Sequence, residues 1–280
     1  MLVPGGGYGK AAIRLLRLDR ESRPHRLQDL TLAIRLEGEF DAAYTAGDNR
    51  DVLPTDTMKN TVYALAGERP FEPIEELGLA VAGRLLAAAP AARRARIEIV
   101  EQPWAPLGRG PDVFGRPGPE RRLATVERAA DRVAVAAGIA GLALLRTSGS
   151  AFADFLRDRY TTLEESGDRL LATTVAADWD YLGSALGERR DYDASWEGVR
   201  RTLVDAFAAQ PSRSVQQTLY VLGEAVLAAH PEVGEVRLRL PNHHHHLVDL
   251  SPFGLDNRHR VFQPAAAPYG VIEGTVRREE

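Results

Sequence analysis

Only two lysines, Lys10 and Lys59, stand among 35 basic residues. In a chain that otherwise uses arginine, a retained lysine suits a site that needs a compact, tunable amine, although drift in an arginine-rich composition also accounts for it. The run Val52-Leu53-Pro54-Thr55-Asp56-Thr57-Met58-Lys59-Asn60-Thr61 follows a turn signal, Gly47-Asp48-Asn49. Pro54 suits the first position of a helix because it lacks an N–H that would go unpaired there. Thr55 and Asp56 then sit where backbone N–H groups point outward and the helix dipole favours an anion. A plain N-cap on a surface helix fits the same residues. Arg169 offers a rigid fork for two adjacent acceptors, or else a solvated or ion-paired side chain. Gln216 presents a carbonyl beside an amide at the start of a predicted helix, where the Val215 N–H also faces outward. By default such a glutamine is a surface helix residue. Strand alternation puts Asn242 and His244 on one face, and a histidine relays protons near neutral pH. The same alternation puts His243 and His245 on the other face, at a spacing that suits zinc or nickel or simply lines a polar sheet surface.

Composition narrows the chemistry. The chain has 280 residues and no cysteine, which removes disulfides, thiolate catalysis and cysteine-based metal centres. That length allows one large domain or two ordinary ones, burying about three quarters of the unfolded surface. A net charge of -4 argues against a dedicated nucleic-acid binder. Met1 to Lys10 lacks the pattern of a secretory signal, and the terminal Arg277-Arg278-Glu279-Glu280 is no peroxisomal address. The longest apolar run, Val133 to Leu145, is too short to span a bilayer. A soluble protein of the cytoplasm, without membrane or nucleic-acid partners, is expected. Gly5-Gly6-Gly7-Tyr8-Gly9 precedes a strand rather than a helix and makes a poor nucleotide loop.

These residues need elements to position them. Tyr8–Asp19 reads as a strand, and a second strand has Leu30, Leu32, Ile34 and Leu36 on one face. A helix opens at Pro54, and another over Glu72–Ala89 aligns Ile74, Leu77, Val81 and Leu85 before Pro90 ends it. Strands are predicted at Arg94–Trp104 and Arg121–Ala136. The order then repeats, with strands at Gly141–Arg146 and Asp168–Tyr181 and a short helix between them at Phe152–Tyr160. Two helices carry Trp196, Val199, Leu203 and Phe207, then Val215, Leu219, Leu222 and Val226. Strands at Val236–Leu250 and Arg260–Val276 close the chain. The expected fold class is α+β, a tandem ββααββ repeat with antiparallel sheets, spanning residues 1–137 and 138–280.

Several separated stretches share one resemblance. They are Tyr8-Gly9-Lys10, Thr55-Asp56 with Lys59-Asn60-Thr61, Ser150–Asp158, Tyr160–Leu163, Asp168–Thr173, Ser214–Tyr220, Pro241–His244 and Asp249–Gly254. Together and in order they resemble urate oxidase over almost the whole chain. The resemblance implies the tunnelling fold, in which sheets of several subunits join into a barrel with helices outside, so that no strand edge stays exposed. It implies a homotetramer with active sites at subunit interfaces. It also implies oxidation of urate by O₂ and water to 5-hydroxyisourate and hydrogen peroxide, with no cofactor and no metal. Lys10, Thr55 and His244 resemble the family's proton-relay group. Thr55 and Asp56 of a neighbouring subunit, with Phe152, Arg169, Val215, Gln216 and Asn242, resemble its substrate-binding set. Phe152 would lie against the purine, although core packing is the ordinary use of such a residue. One departure is His243, which stands where family members often have lysine.

Two other readings remain open from sequence. One is a zinc-dependent pterin enzyme on the same fold using His243–His246. The other is a purine-binding oligomer without catalysis, which has no use for Lys10.

Overall fold

Leu30, Leu32, Ile34 and Leu36 are all buried, on one face of a strand whose other face carries Thr31, Ala33, Arg35 and Glu37. In this computed structural model, which describes residues 6–183 and 190–279, that strand sits within the first of two compact units. Met1–Gly5, which includes the start of the glycine run, and Glu280 lie outside the described residues. Unit 1 comprises Met1–Ile139 with Asp178–Trp196, and unit 2 comprises Ala140–Ala177 with Glu197–Glu280.

The chain order is β1 (Gly7–Asp19), β2 (Arg26–Gly38), α1 (Asp41–Ala46), α2 (Thr55–Glu68), α3 (Ile74–Ala88), β3 (Ala92–Gln102), β4 (Ala105–Pro106), β5 (Phe114–Gly115), β6 (Arg121–Ala129) and β7 (Val133–Arg146). There follow β8 (Leu171–Tyr181), α4 (Tyr192–Ala209), α5 (Val215–Ala229), β9 (Val233–His243), β10 (His245–Leu247), β11 (Phe262–Pro264) and β12 (Gly270–Arg277). The fold is α+β with antiparallel pairing. No helix among the described residues is long and apolar enough to cross a membrane.

In unit 1, β1, β2, β3 and β6 are successive antiparallel neighbours. The helix α3 lies on β3 and β6, and α2 lies on β1 and α3. The stripe Ile74, Leu77, Val81 and Leu85 is wholly buried, as period-3.6 spacing requires of a core-facing helix. Gly78 lets α3 close onto β6, since a Cβ there would stand 2.8 Å from Val126 Cγ2. The opposite face of the sheet carries a charged lattice. Arg35 pairs with Glu37 at 2.8 Å, Arg94 with Glu37 at 2.5 Å and Arg96 with Glu98 at 2.8 Å. In unit 2, β9 pairs antiparallel with β12, and α5 covers both. Val215, Leu219, Leu222 and Val226 are buried there.

Several boundaries differ from the sequence reading. The strand expected over Arg121–Ala136 is two strands, because the Ala129 N–H bonds the Arg132 carbonyl at 2.8 Å and turns the chain. Residues 137–138, read as the boundary between repeats, lie inside β7. Phe152–Tyr160 forms no helix. Phe152 bridges Ser166, and the Asp158 carboxylate takes the Tyr160 N–H at 2.9 Å, an Asx turn competing with helix formation. Pro54 is the residue before the first helical turn, so Thr55 rather than Pro54 begins α2. Arg260–Val276 is interrupted around Pro264 and Pro268, which cannot donate to a ladder.

Unit 1 also buries an ionic cluster that sequence patterning did not reveal. The Glu75 side chain is 0% exposed, and Arg122 donates to it at 2.8 Å and to Asp193 at 2.5 Å. The Arg122 guanidinium lies 5.4 Å from the Trp196 ring centroid. Glu101 is nearby. Burial pushes its carboxyl up to about 7; Arg122 opposes that rise, and Asp193 and Glu75 add to it. Because the folded-state pKa exceeds the unfolded value of about 4.3, the folded chain holds the extra proton. That contribution to stability is complete below the unfolded pKa and is lost as pH rises through about 7. Glu101→Gln should therefore raise stability more at pH 8 than at pH 5, measured by urea unfolding at both. Arg122→Leu, which strands Glu75, should cost about 3–5 kcal/mol in the same assay.

Candidate active site

The sequence-predicted residues fall into two groups, one in each unit. In unit 1, Tyr8 pairs with Leu36 and Lys10 with Ile34 across β1 and β2. Directly opposed residues share a face, so both side chains lie on the face that holds buried Leu36 and Ile34. Regular alternation would then send Ile13 to the other side. A β-bulge between Lys10 and Ile13, with Ala12 at φ 55°, resets the phase, and Ile13 is buried on the same face. Thr55 is half-buried at the first position of α2. The Asp56 carboxylate is engaged within its own helix by Lys59, an i,i+3 neighbour, and by Asn60 Nδ2 at 3.0 Å. Lys59 first, with Asn60 and the charge of Lys10 adding, holds its pKa below the usual carboxylate range. The side chain is thus occupied, and the backbone N–H groups of the first turn remain for an anion. The roles of Lys59 and Asn60 were not read from sequence, although an acid followed three and four residues later by amine and amide is a legible helix pattern.

In unit 2 the backbone draws the second group together. The Ala151 N–H bonds the Ser212 carbonyl at 2.7 Å, and the Ser212 N–H bonds the Gly149 carbonyl at 2.8 Å. The Arg169 N–H bonds the Ser150 carbonyl at 2.7 Å, and Phe152 exchanges backbone bonds with Ser166. Arg169, Phe152 and the lead-in to α5 are therefore tied through Ser150 and Ser212. Arg169 lies two residues before β8, outside the strand where the sequence reading put it. Its guanidinium lies 5.1 Å from the Phe152 ring centroid, and burial lowers its pKa. Among the described residues no carboxylate pairs with it. Phe155 stacks on Phe152, with centroids 4.9 Å apart and planes at 12°, a partner that the sequence reading had assigned to a helix.

At α5 the Ser214 hydroxyl accepts the Gln217 N–H at 3.1 Å, and Gln217 Oε1 accepts the Arg213 N–H at 2.9 Å. This reciprocal cap leaves the N–H groups of Val215 and Gln216 without intrahelical acceptors. Val215 is buried and Gln216 exposed. The result is a partly desolvated cation tied to an open helix N-terminus, which is an anion-binding arrangement.

The four histidines are used separately. Asn242, opposite Gly270, and His243 end β9; His244 falls in the break before β10 rather than continuing the strand. His243 Nε2 is 2.9 Å from the Thr174 hydroxyl, and its ring lies 5.6 Å from Tyr269. His245 turns Nδ1 toward the His243 carbonyl at 3.1 Å, whereas His244 lies 6.2 Å, ring to ring, from His246. Burial first, and then the charges of His246, Arg169 and His243, lower the His244 pKa. The shift favours the neutral imidazole, which can accept a proton. No group of three or more His, Asp or Glu residues among the described residues is placed to hold a metal ion.

The Uricase family model matches residues 6–127 and 135–273. The uricase of Arthrobacter globiformis is 43% identical over 272 residues, covering 97% of this chain and 88% of that protein. The Dictyostelium discoideum uricase is 36% identical over 278 residues, covering 97% and 96%. The crystal structure of the Arthrobacter globiformis uricase superposes with a TM-score of 0.94 at 42% identity, covering 100% of this chain and 96% of that one. With the family model matching nearly the whole chain, and an anion-binding arrangement in place, the chain belongs to the uricase family of urate oxidases.

Proposed function

We propose that the protein oxidises urate with O₂ and water to 5-hydroxyisourate and hydrogen peroxide, using no metal, flavin or other cofactor. The observation that carries this reading is Arg169, a half-buried guanidinium set over Phe152 and bound through the backbone to the α5 N-terminus. A planar purine anion meets all three features. Arg169 pairs two adjacent acceptors, Gln216 and the Val215 N–H hold another ring edge, and Phe152 supports the face. Stacking the purine on Phe152 exchanges one aromatic contact, that with Phe155, for another.

Two electrons leave the urate ring and reduce O₂ to peroxide, while water supplies the oxygen of the new hydroxyl. An electron-rich urate anion can reduce O₂ itself, so the protein's work is deprotonation, alignment and stabilisation of charge. Lys10 takes the Thr55 hydroxyl proton, and Thr55 in turn takes a proton from urate or water. The neutral His244 imidazole passes that proton on, and Asn242 orients the water or oxygen over the ring.

The reading extends to assembly. The element order β-β-α-α-β-β occurs twice when the short strands and α1 are set aside, and the family model matches two stretches. Both support two tandem tunnelling-fold repeats, with the division falling between β6 and β7 rather than at 137–138. Four copies join their sheets into a barrel with helices outside, in the cytoplasm. Thr55 and Asp56 of one copy then face Arg169 and Gln216 of another, which completes the site only on assembly. Light scattering after size exclusion should return a tetramer; a stable monomer would refute this.

Loss of urate absorbance with equimolar peroxide, unchanged by chelator, is the expected assay outcome. Inhibition by chelator would favour a metal enzyme, and binding without turnover a purine-binding protein. Lys10→Met should lower kcat about 100-fold or more with little change in KM, whereas Arg169→Ala should chiefly raise KM, about 10- to 100-fold. The acid limb of kcat/KM, set by His244, should fall below the ordinary histidine value of about 6.5. A limb at or above that value would exclude His244 as the acceptor.

A further inference from the structure

Tyr8 belongs to neither the proton relay nor the substrate-binding set, yet it joins the two segments that carry Lys10 and Thr55. Its hydroxyl accepts the Leu53 N–H at 2.8 Å. Tyr8 stands two residues before Lys10, and Leu53 stands two before Thr55. Both short links are stiff. Tyr8 and Lys10 are held by their pairing with Leu36 and Ile34. Between Leu53 and Thr55 lies Pro54, at φ -55° and ψ 138°, whose ring fixes φ and restricts the residue before it to extended backbone.

The strut itself is braced. The Tyr8 ring packs edge-on against Phe40, with centroids 4.9 Å apart and planes at 85°, and Phe40 is buried. The Tyr44 hydroxyl donates to the Gly7 carbonyl at 3.1 Å, anchoring the strand end one residue earlier. Beyond Lys10 the bulge at Ala11 and Ala12 breaks the β1–β2 ladder, so on that side the pairing does not resume until Ile13. Lys10 is therefore held firmly from the Tyr8 side and more loosely from the other.

We propose that Tyr8 is a positioning residue for Lys10 and Thr55: its bond to Leu53 fixes the lead-in to α2 against β1 and thereby sets the spacing between amine and hydroxyl. The inference rests on the relay roles given above to Lys10 and Thr55. Proton transfer between two side chains depends steeply on their separation, and a misplacement of about 1 Å is enough to cost on the order of 100-fold.

Tyr8→Phe removes one oxygen and keeps the ring. The expected result is a fall in kcat of about 10- to 100-fold on urate, with KM changed less than about threefold and thermal unfolding little moved. In a Lys10→Met background the same change should cost less than about twofold, because Tyr8 acts through the spacing between the Lys10 amine and the Thr55 hydroxyl, which no longer exists. An equal loss in both backgrounds, or a raised KM at unchanged kcat, overturns the proposal. Should Tyr8→Phe fail to fold, Phe40→Leu loosens the ring while keeping the hydroxyl. It should lower kcat at constant KM, and an unchanged kcat overturns the proposal. Wild-type protein that leaves urate intact refutes the functional reading and this inference together. Active wild type with fully active Tyr8→Phe refutes this inference alone.

Discussion

A strand side chain faces one side of its sheet or the other, and a slip of one residue exchanges the two sets. Much of unit 1 depends on that constraint. The face of β2 with Leu30, Leu32, Ile34 and Leu36 must meet helices, so β1 has to present its own apolar residues on the same side. In β1 those residues are out of phase, since Tyr8 and Lys10 occupy even positions and the buried Ile13 an odd one. The bulge at Ala11–Ala12 reconciles them. It allows the lysine to stand on the helix-facing side while the strand beyond it still contributes to the core.

Unit 2 answers a different problem, that of holding a partly desolvated positive charge without neutralising it. A guanidinium removed from water costs free energy that an ion partner normally offsets. Arg169 has the weaker support of the Phe152 ring. Arg122 in unit 1 shows the contrary arrangement, with two carboxylates within hydrogen-bond distance. One arginine is tied to carboxylates, and the other has no carboxylate partner among the described residues. The backbone bonds through Ser150 and Ser212 make the second arrangement tolerable, because they hold the loop without using the Arg169 or Phe152 side chains.

The same economy appears in the hydrogen bonding of the helix ends. Asp56 is satisfied by Lys59 and Asn60, and Ser214 is spent on Gln217, so in both helices the nearest polar side chain is engaged within its own turn. First-turn N–H groups are left facing outward. Histidine use follows the pattern too. His243 is engaged by Thr174, while His244, set in a break between strands, keeps a pKa lowered by burial and then by neighbouring charges.

Periodicity in the sequence determined most elements, because burial on one face forces period 2 in strands and 3.6 in helices. The β2 face, the α3 stripe and the α5 stripe all follow from it. The residue types and order of the separated motifs also made the family and the candidate site residues legible. Interruptions were not legible. The turn at 130–132, the break at His244 and the Asx turn at Asp158 depend on backbone hydrogen bonds that apolar patterning does not encode. Particular side-chain pairings were likewise hidden: Arg122 with Glu75, Phe155 on Phe152 and Tyr8 with Leu53. They join residues 3 to 47 positions apart whose types fit many partners equally well. Only the folded chain, by bringing particular segments within hydrogen-bond and ring-contact distance, chose among those partners.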